Sequence, residues 1–337
     1  MTVKINQWKE ISERYNGTVL LGNGSSIAVN SSFKYPSLKQ HAIEEGLLTE
    51  DVQSIFDYFE TDDFELILRI VWQTTNVNKS LKIEDDKTRK AYLHVRDCLI
   101  KSVRNIHPEY HAVSSQLPKI YDFLKNFNTV LSLNYDLLLY WTMMYGIDKR
   151  DGHAFKDCII NSSFDDDWKR FRGSWGQSNR ETTLVFYPHG SLILARNLVE
   201  RELKITSRGT DLLESILSSW ESEKYVPLFV SEGMTEQKVA SIHNSHYLNT
   251  VYKEVLPSVS TSLVVFGWGF GPHDRHILER LAKSSVQIIA VSVFGNDQSY
   301  CNAVEQQVRD TFGQQVELEF FDCQSPGCWN QANKEEK

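Results

Sequence analysis

The feature that most restricts this chain is a series of short apolar runs, rich in Val, Ile, Leu and Thr, at 18–22, 129–133, 183–187, 227–230, 262–266 and 287–293. Each is too short for a stable helix and reads as a strand buried on both faces. Between most of them lie segments with helical spacing, at 211–223, 273–282 and 300–311. Strand–helix alternation predicts an α/β fold, a Rossmann-like, mainly parallel sheet with helices on both faces. A last run, 316–321, alternates in part and is expected at the sheet edge.

One interval breaks the rhythm. From 37 to 127 the pattern is helix after helix (38–45, 50–59, 63–73, 87–104 and 114–127), which predicts an all-helical insertion after the first strand. A patch at 148–176, rich in Asp, Gly, Ser and Trp, is expected to be a long loop. A length of 337 residues suits two units or one enlarged domain. The expected organisation is a core built from 16–36 and 128–325, a helical cap at 37–127 and a polar tail at 330–337.

The formal net charge of −8 removes any bulk electrostatic case for a nucleic-acid backbone as partner. No apolar stretch approaches the roughly 20 residues of a membrane span, and the N-terminus has no signal core. Five scattered cysteines, Cys98, Cys158, Cys301, Cys323 and Cys328, suit a reducing compartment, so a cytoplasmic location is expected. No Cys-x-x-Cys pair exists for a zinc ribbon, and Cys323 and Cys328 read as incidental surface thiols.

Polar and glycine residues collect where strands end, the place where open α/β sheets bind ligands. The first run leads into Gly22-Asn23-Gly24-Ser25-Ser26, either a tight turn or a loop whose backbone approaches a phosphate. The second ends in Asn134-Tyr135-Asp136; Asp136 reads equally as a helix cap or a ligand-facing carboxylate. The third ends in His189-Gly190, where an imidazole beside a glycine is open to a substrate and able to act as general base. The fifth ends in Gly267-Trp268-Gly269-Phe270-Gly271, with Asp274 expected to cap the next helix. Glu232 is a candidate ribose ligand or a loop ion pair. His243, His246, His273 and His276 lack an accompanying carboxylate at regular spacing and are not expected to bind metal.

The order Gly-x-Gly-x-Ser, Asn-Tyr-Asp, His-Gly and a late aromatic, glycine-rich turn resembles the sirtuin-like (SIR2-like) domains, and more closely the DUF4917-type bacterial proteins. The resemblance implies NAD⁺ as substrate. Asn134 and His189 would be catalytic, and Gly22, Asn23, Gly24, Ser25, Ser26, Tyr135, Asp136, Gly267 and Trp268 would bind the nucleotide. Asn23 stands where the family loop usually carries Ala. The four-cysteine zinc module of the deacylases is missing, so the resemblance implies cleavage of NAD⁺ to nicotinamide and ADP-ribose, with no metal. It further implies a regulated, NAD-depleting role in antiphage defence, with a regulatory protein partner or self-association. ADP-ribosyl transfer or deacylation in the same pocket, and a nucleotide sensor or structural subunit without turnover, are the alternatives.

Overall fold

Eight strands pair in parallel throughout the main sheet of the computed structural model, which describes residues 2–35, 37–172, 181–207, 211–230 and 233–331. Across the sheet they run Ile5–Asn6, Glu317–Asp322, Ile288–Val293, Ser262–Phe266, Thr18–Leu21, Thr129–Ser132, Thr182–Phe186 and Ala154–Lys156. Helices flank the sheet, as in Rossmann-like folds. The register sets Val19 between Val264 and Val130, and all three are fully buried. Covering both faces explains why these central strands carry consecutive apolar residues rather than alternate ones.

From Thr18–Leu21 the chain builds outward on one side through Thr129–Ser132, then returns to the other side with Ser262–Phe266. The sheet therefore reverses its order beside Thr18–Leu21, and the crevice that such a reversal opens lies beyond the carboxyl ends of these strands.

Three expectations about the strands need correction. The run at 227–230 belongs to a strand, Tyr225–Phe229, but of a separate antiparallel sheet with Gly190–Asn197 and Glu202–Lys204. A buried apolar run looks the same in either setting. The run at 316–321 is not the edge: Ile5–Asn6 pairs outside it, too short at two residues to leave a pattern, so the insertion follows the second strand rather than the first. The patch at 148–176 carries the sheet's other edge strand, Ala154–Lys156, a small hairpin of Ile159–Ile160 with Ser163–Phe164, and a helical turn at Trp168–Arg172.

Between Thr18–Leu21 and Thr129–Ser132 the described residues hold helices and no strand. The two longest, Phe64–Leu81 and Asp86–Ile106, pack together. Each starts at an aspartate: Asp63 Oδ1 accepts from the amides of Glu65 (3.0 Å) and Leu66 (3.1 Å), and Asp85 Oδ1 from those of Lys87 and Thr88. The first of them runs to Leu81, beyond the expected 73, and stops where Lys82 turns left-handed at φ 56°. Glu65, on this helix, meets the buried Arg196 of the antiparallel sheet at 3.4 Å, and Trp72 Nε1 donates to the Glu223 carbonyl at 3.1 Å. These contacts fix the insertion to the core.

All five cysteines are free. Cys328 is fully buried, not a surface thiol, because the segment after the last strand folds back: Trp329 Nε1 donates to the Ser25 carbonyl at 2.9 Å. Among the described residues no helix is long and apolar enough to cross a membrane.

Candidate functional site

The glycine loop after Thr18–Leu21 is shaped by the turn after Ser262–Phe266. A Cβ on Gly22 would lie 2.6 Å from Trp268 Cα, and one on Gly24 2.8 Å from Gly267 Cα. Gly267 has φ +68° and presses on the Ser25 amide. Only glycine fits backbones this close. The amide of Gly22 donates to the Phe266 carbonyl (2.9 Å), that of Gly24 to the Gly267 carbonyl (2.7 Å), and that of Ser25 back to the Gly22 carbonyl (2.9 Å). The loop is thus bonded to its neighbouring turn, which is in turn held by Ser292 Oγ on the Gly267 amide and by Tyr300, whose hydroxyl donates to the Trp268 carbonyl.

Asn134, just past Thr129–Ser132, reaches across to this loop. Its Nδ2 has three acceptors around it: Ser26 Oγ at 2.8 Å, Ser25 Oγ at 3.0 Å and the Gly22 carbonyl at 3.1 Å. The carbonyl accepts only, so it fixes which end of the amide faces the loop. Asn134 Oδ1 is left as the group this side chain offers a ligand. Ser26 passes the chain of bonds on, donating to Asp136 Oδ2, while Asp136 Oδ1 accepts from the Leu138 amide at 2.9 Å. Asp136 therefore ties the loop to the start of the helix Leu138–Lys149, and burial raises its pKa.

Sequence reasoning set Ser25 and Ser26 among the nucleotide ligands. Their side chains are buried and point into the bonds just described, so neither lines the cavity. Tyr135 does line it, with its ring stacked on Phe229 at 4.9 Å and its hydroxyl bonded to that of Tyr35.

His189 sits on a turn made possible by Gly190, whose φ of +78° and close approach to the Leu228 carbonyl exclude a side chain. The Gly190 amide donates to the Tyr187 carbonyl, and the Val230 amide to the His189 carbonyl. His189 Nε2 faces His276 Nε2 at 3.0 Å. Burial lowers the His189 pKa to about 3; nearby Asp274 opposes this, while Lys238 and His276 add to it. Burial likewise lowers His276 to about 4. Both rings are neutral at neutral pH. Asp274 is instead held ionised at about 2: burial works against the charge, but His189 first and then the Lys238 ammonium, 2.7 Å from its Oδ1, outweigh it. Asp274 was expected to cap a helix; its side chain makes this ion pair and no cap bond.

His189, His276 and Asp274 bring ligand atoms within 4.8 Å of one another, the carboxylate that spacing among the histidines lacked. The geometry is nevertheless that of a hydrogen bond. The ring centroids are 5.2 Å apart, 2.2 Å more than the two nitrogens, which is two imidazole centre-to-nitrogen radii, so the rings point head to head. Nitrogens sharing a metal would converge on a third point instead. His243 and His246 lie elsewhere, bonded to Asn249 and Asp166.

These segments enclose a cavity of about 360 Å³ at the carboxyl ends of the strands, lined by Gly22, Asn23 and Gly24, by Asn134, Tyr135 and Asp136, by His189, and by Gly267 and Trp268. Lys238 and Asp274 also line it, together with Phe33 and Tyr35 just before the insertion and Ser37 at its start. Trp268 packs on Phe270 and keeps a buried indole N–H with no acceptor among the described residues. Of the aromatic residues near these strand ends, Trp268 lines the cavity, Phe186 lies in the core and Phe270 packs on Trp268. A second cavity of about 690 Å³ shares Ser37, Lys238, Gly271 and Asp274 with the first and opens between insertion and core. Glu232 lies outside the described residues. Sequence reasoning missed Lys238, and missed that His276 and Asp274 belong to the site; their partners are 36 and 87 residues away, so no local pattern could reveal them.

Fold and site together define a parallel α/β protein with its binding crevice at the reversal point of the sheet. The family model described as a domain of unknown function, DUF4917, matches residues 19–329, and the chain belongs to that family. No curated protein matches the sequence.

Proposed function

We propose that the protein is a sirtuin-like NAD⁺ glycohydrolase. The observation that carries this reading is the convergence of Asn134 and His189, from separate strand ends, on one cavity floored by the Gly22–Gly24 backbone. The scissile bond joins C1′ of the ribose to a cationic pyridinium nitrogen. When it breaks, its electron pair stays on that nitrogen, which leaves neutral and needs no acid. The protein's task is to orient the ribose, shield the cationic transition state from bulk water and deprotonate the attacking water.

Asn134 Oδ1 is suited to accept from a ribose hydroxyl, its donor end being committed to the loop. Neutral His189 takes the proton as water oxygen bonds to C1′, giving ADP-ribose, and ionised Asp274 offsets the charge formed on the ring. The adjoining cavity gives an elongated ligand room to extend. Ser37, at the start of the insertion and next to the Phe33 and Tyr35 wall, gives the insertion a direct hold on the site, a means of regulation suited to an NAD-depleting defence effector answering to a protein partner or a second copy.

The test is nicotinamide release from NAD⁺ by purified protein, alone and with lysate from phage-infected cells. We expect His189→Ala to lower the rate by about 10²–10⁴-fold, the usual worth of a positioned general base, with an unchanged circular dichroism spectrum. Wild-type rates in a folded His189→Ala protein would refute the assignment. Tight NAD⁺ binding without turnover under any condition would favour the sensor.

A further inference from the structure

We propose that His276 is a positioning residue for His189, fixing the direction of its ring and sharing one proton with it along the Nε2–Nε2 axis. The proposal rests on the catalytic reading of His189 given above, and goes beyond it by adding a residue that no motif contains.

The pair is buried, His276 at 1% exposure and His189 at 3%, and the head-to-head alignment leaves room for a single hydrogen between the two nitrogens. One ring donates and the other accepts; two N–H groups, or two lone pairs, would repel. Whichever ring holds the proton, His189 Nε2 is occupied, so Nδ1 is the nitrogen left for the cavity that His189 lines. For Nδ1 to act as a base it must be bare, and then His189 donates from Nε2 and His276 accepts. In that arrangement the His276 hydrogen sits on Nδ1, a buried nitrogen with no hydrogen-bond partner among the described residues.

The surroundings are built to hold this arrangement. His276 belongs to the helix Arg275–Leu281, with Tyr252 against its ring at 6.0 Å. Asp274, two residues earlier, faces both imidazoles and is itself held by Lys238 from the helix Thr235–His243. When Nδ1 of His189 takes a proton, the charge spreads over two rings rather than one, beside a fixed carboxylate. Without His276 the ring would lose its reference direction, and the bare nitrogen would alternate between Nδ1 and Nε2.

Two measurements on the full chain test this. The first reads ¹⁵N shifts of the His189 imidazole nitrogens in wild type, His276→Gln and His276→Leu. In wild type we expect a single tautomer with the proton on Nε2; in His276→Leu, averaged shifts that report a mixture; in His276→Gln, recovery, because the amide oxygen again accepts. The second follows nicotinamide release. His276→Leu should lower kcat at least tenfold, less than the loss in His189→Ala, with KM within about threefold of wild type and partial rescue in His276→Gln. Unchanged His189 shifts in a folded His276→Leu protein would overturn the proposal. So would a wild-type His189 with its proton on Nδ1. If no variant or condition shows NAD⁺ turnover, the shifts still decide the positioning role, so failure of the glycohydrolase reading is told apart from failure of this one.

Discussion

Asn134 Nδ2 donates at 2.8 Å to Ser26 Oγ, and that hydroxyl donates in turn to Asp136. The asparagine that resembles a catalytic residue is therefore also the clamp on the glycine loop. Asn134→Ala removes one donor from the Gly22 carbonyl, which keeps the Ser25 hydroxyl at 2.8 Å, and takes the amide donor from two buried hydroxyls, a loss of about 1–3 kcal/mol by the usual penalty for an unsatisfied buried group. Urea unfolding should show a lower midpoint for Asn134→Ala than for His189→Ala. Ser26→Ala separates the two roles: it weakens the clamp while keeping Asn134 Oδ1, so it should lower stability yet retain measurable nicotinamide release. Complete inactivity of a stably folded Ser26→Ala protein would argue that loop position, rather than Oδ1, is what turnover needs.

The acid side of the activity profile follows from the environment of His189. An ordinary histidine loses its lone pair to a proton near pH 6.5. Burial holds His189 at about 3, against the pull of Asp274 and with the push of Lys238 and His276. A base must be unprotonated to act, and a lowered pKa keeps it so further into acid. Hence kcat/KM, which reports the free enzyme, should stay level from pH 8 to about pH 5 and fall only below that. Asp274, held at about 2, stays ionised across the same range. An inflection near 6.5 that disappears in His189→Gln would place the ring in water rather than in this buried cluster.

The central strands and most helices were legible in the sequence because burial on both faces, or on one, writes a period into the residues. Thr18–Leu21, Thr129–Ser132 and Ser262–Phe266 stand where their apolar runs lie. Ile5–Asn6 was hidden because two residues carry no period, and Gly190–Asn197 because it follows the His-Gly turn without the helix that alternation leads one to expect. The site divides in the same way. Asn134, Tyr135, Asp136 and His189 follow strands and could be found; Lys238, Asp274 and His276 matter through partners remote in the chain. The serines at 25 and 26 show the opposite limit: the sequence gives them to the loop but cannot say that they face inward.

The glycines of the late turn are not equivalent. A Cβ on Gly267 would lie 2.3 Å from the Ser25 amide nitrogen, at a φ of +68° that side chains rarely adopt, whereas Gly269 and Gly271 have no atom of the described residues within 4 Å of theirs. Gly267→Ala should destabilise the protein by about 2–3 kcal/mol or more, strain and displacement of the glycine loop adding together. Gly269→Ala and Gly271→Ala should unfold within about a kcal/mol of wild type. Thermal melts of the three variants check this. Equal losses in all three would mean that the contact between the two loops does not set stability.

The join between insertion and core should make stability depend on pH in an unusual direction. Burial raises Asp63 to about 6 and Glu65 to about 7; for Glu65 the buried Arg196 opposes the rise and Asp63 adds to it. A carboxyl with a raised pKa binds its proton more tightly folded than unfolded, so folding is favoured most when both states are protonated, below about pH 4. That contribution is lost as pH rises through the interval from about 4.5 to 7, as the unfolded chain ionises and the folded one resists. Other carboxylates shift the total, so the informative quantity is a difference. Glu65→Gln keeps an acceptor for Arg196 and abolishes the titration. Relative to wild type, its urea midpoint should therefore improve as pH goes from 5 to 8, by an amount that levels off once Glu65 is ionised in the folded protein. Were the difference flat over that range, Glu65 would be titrating alike in both states, and the ion pair with Arg196 would be open to water.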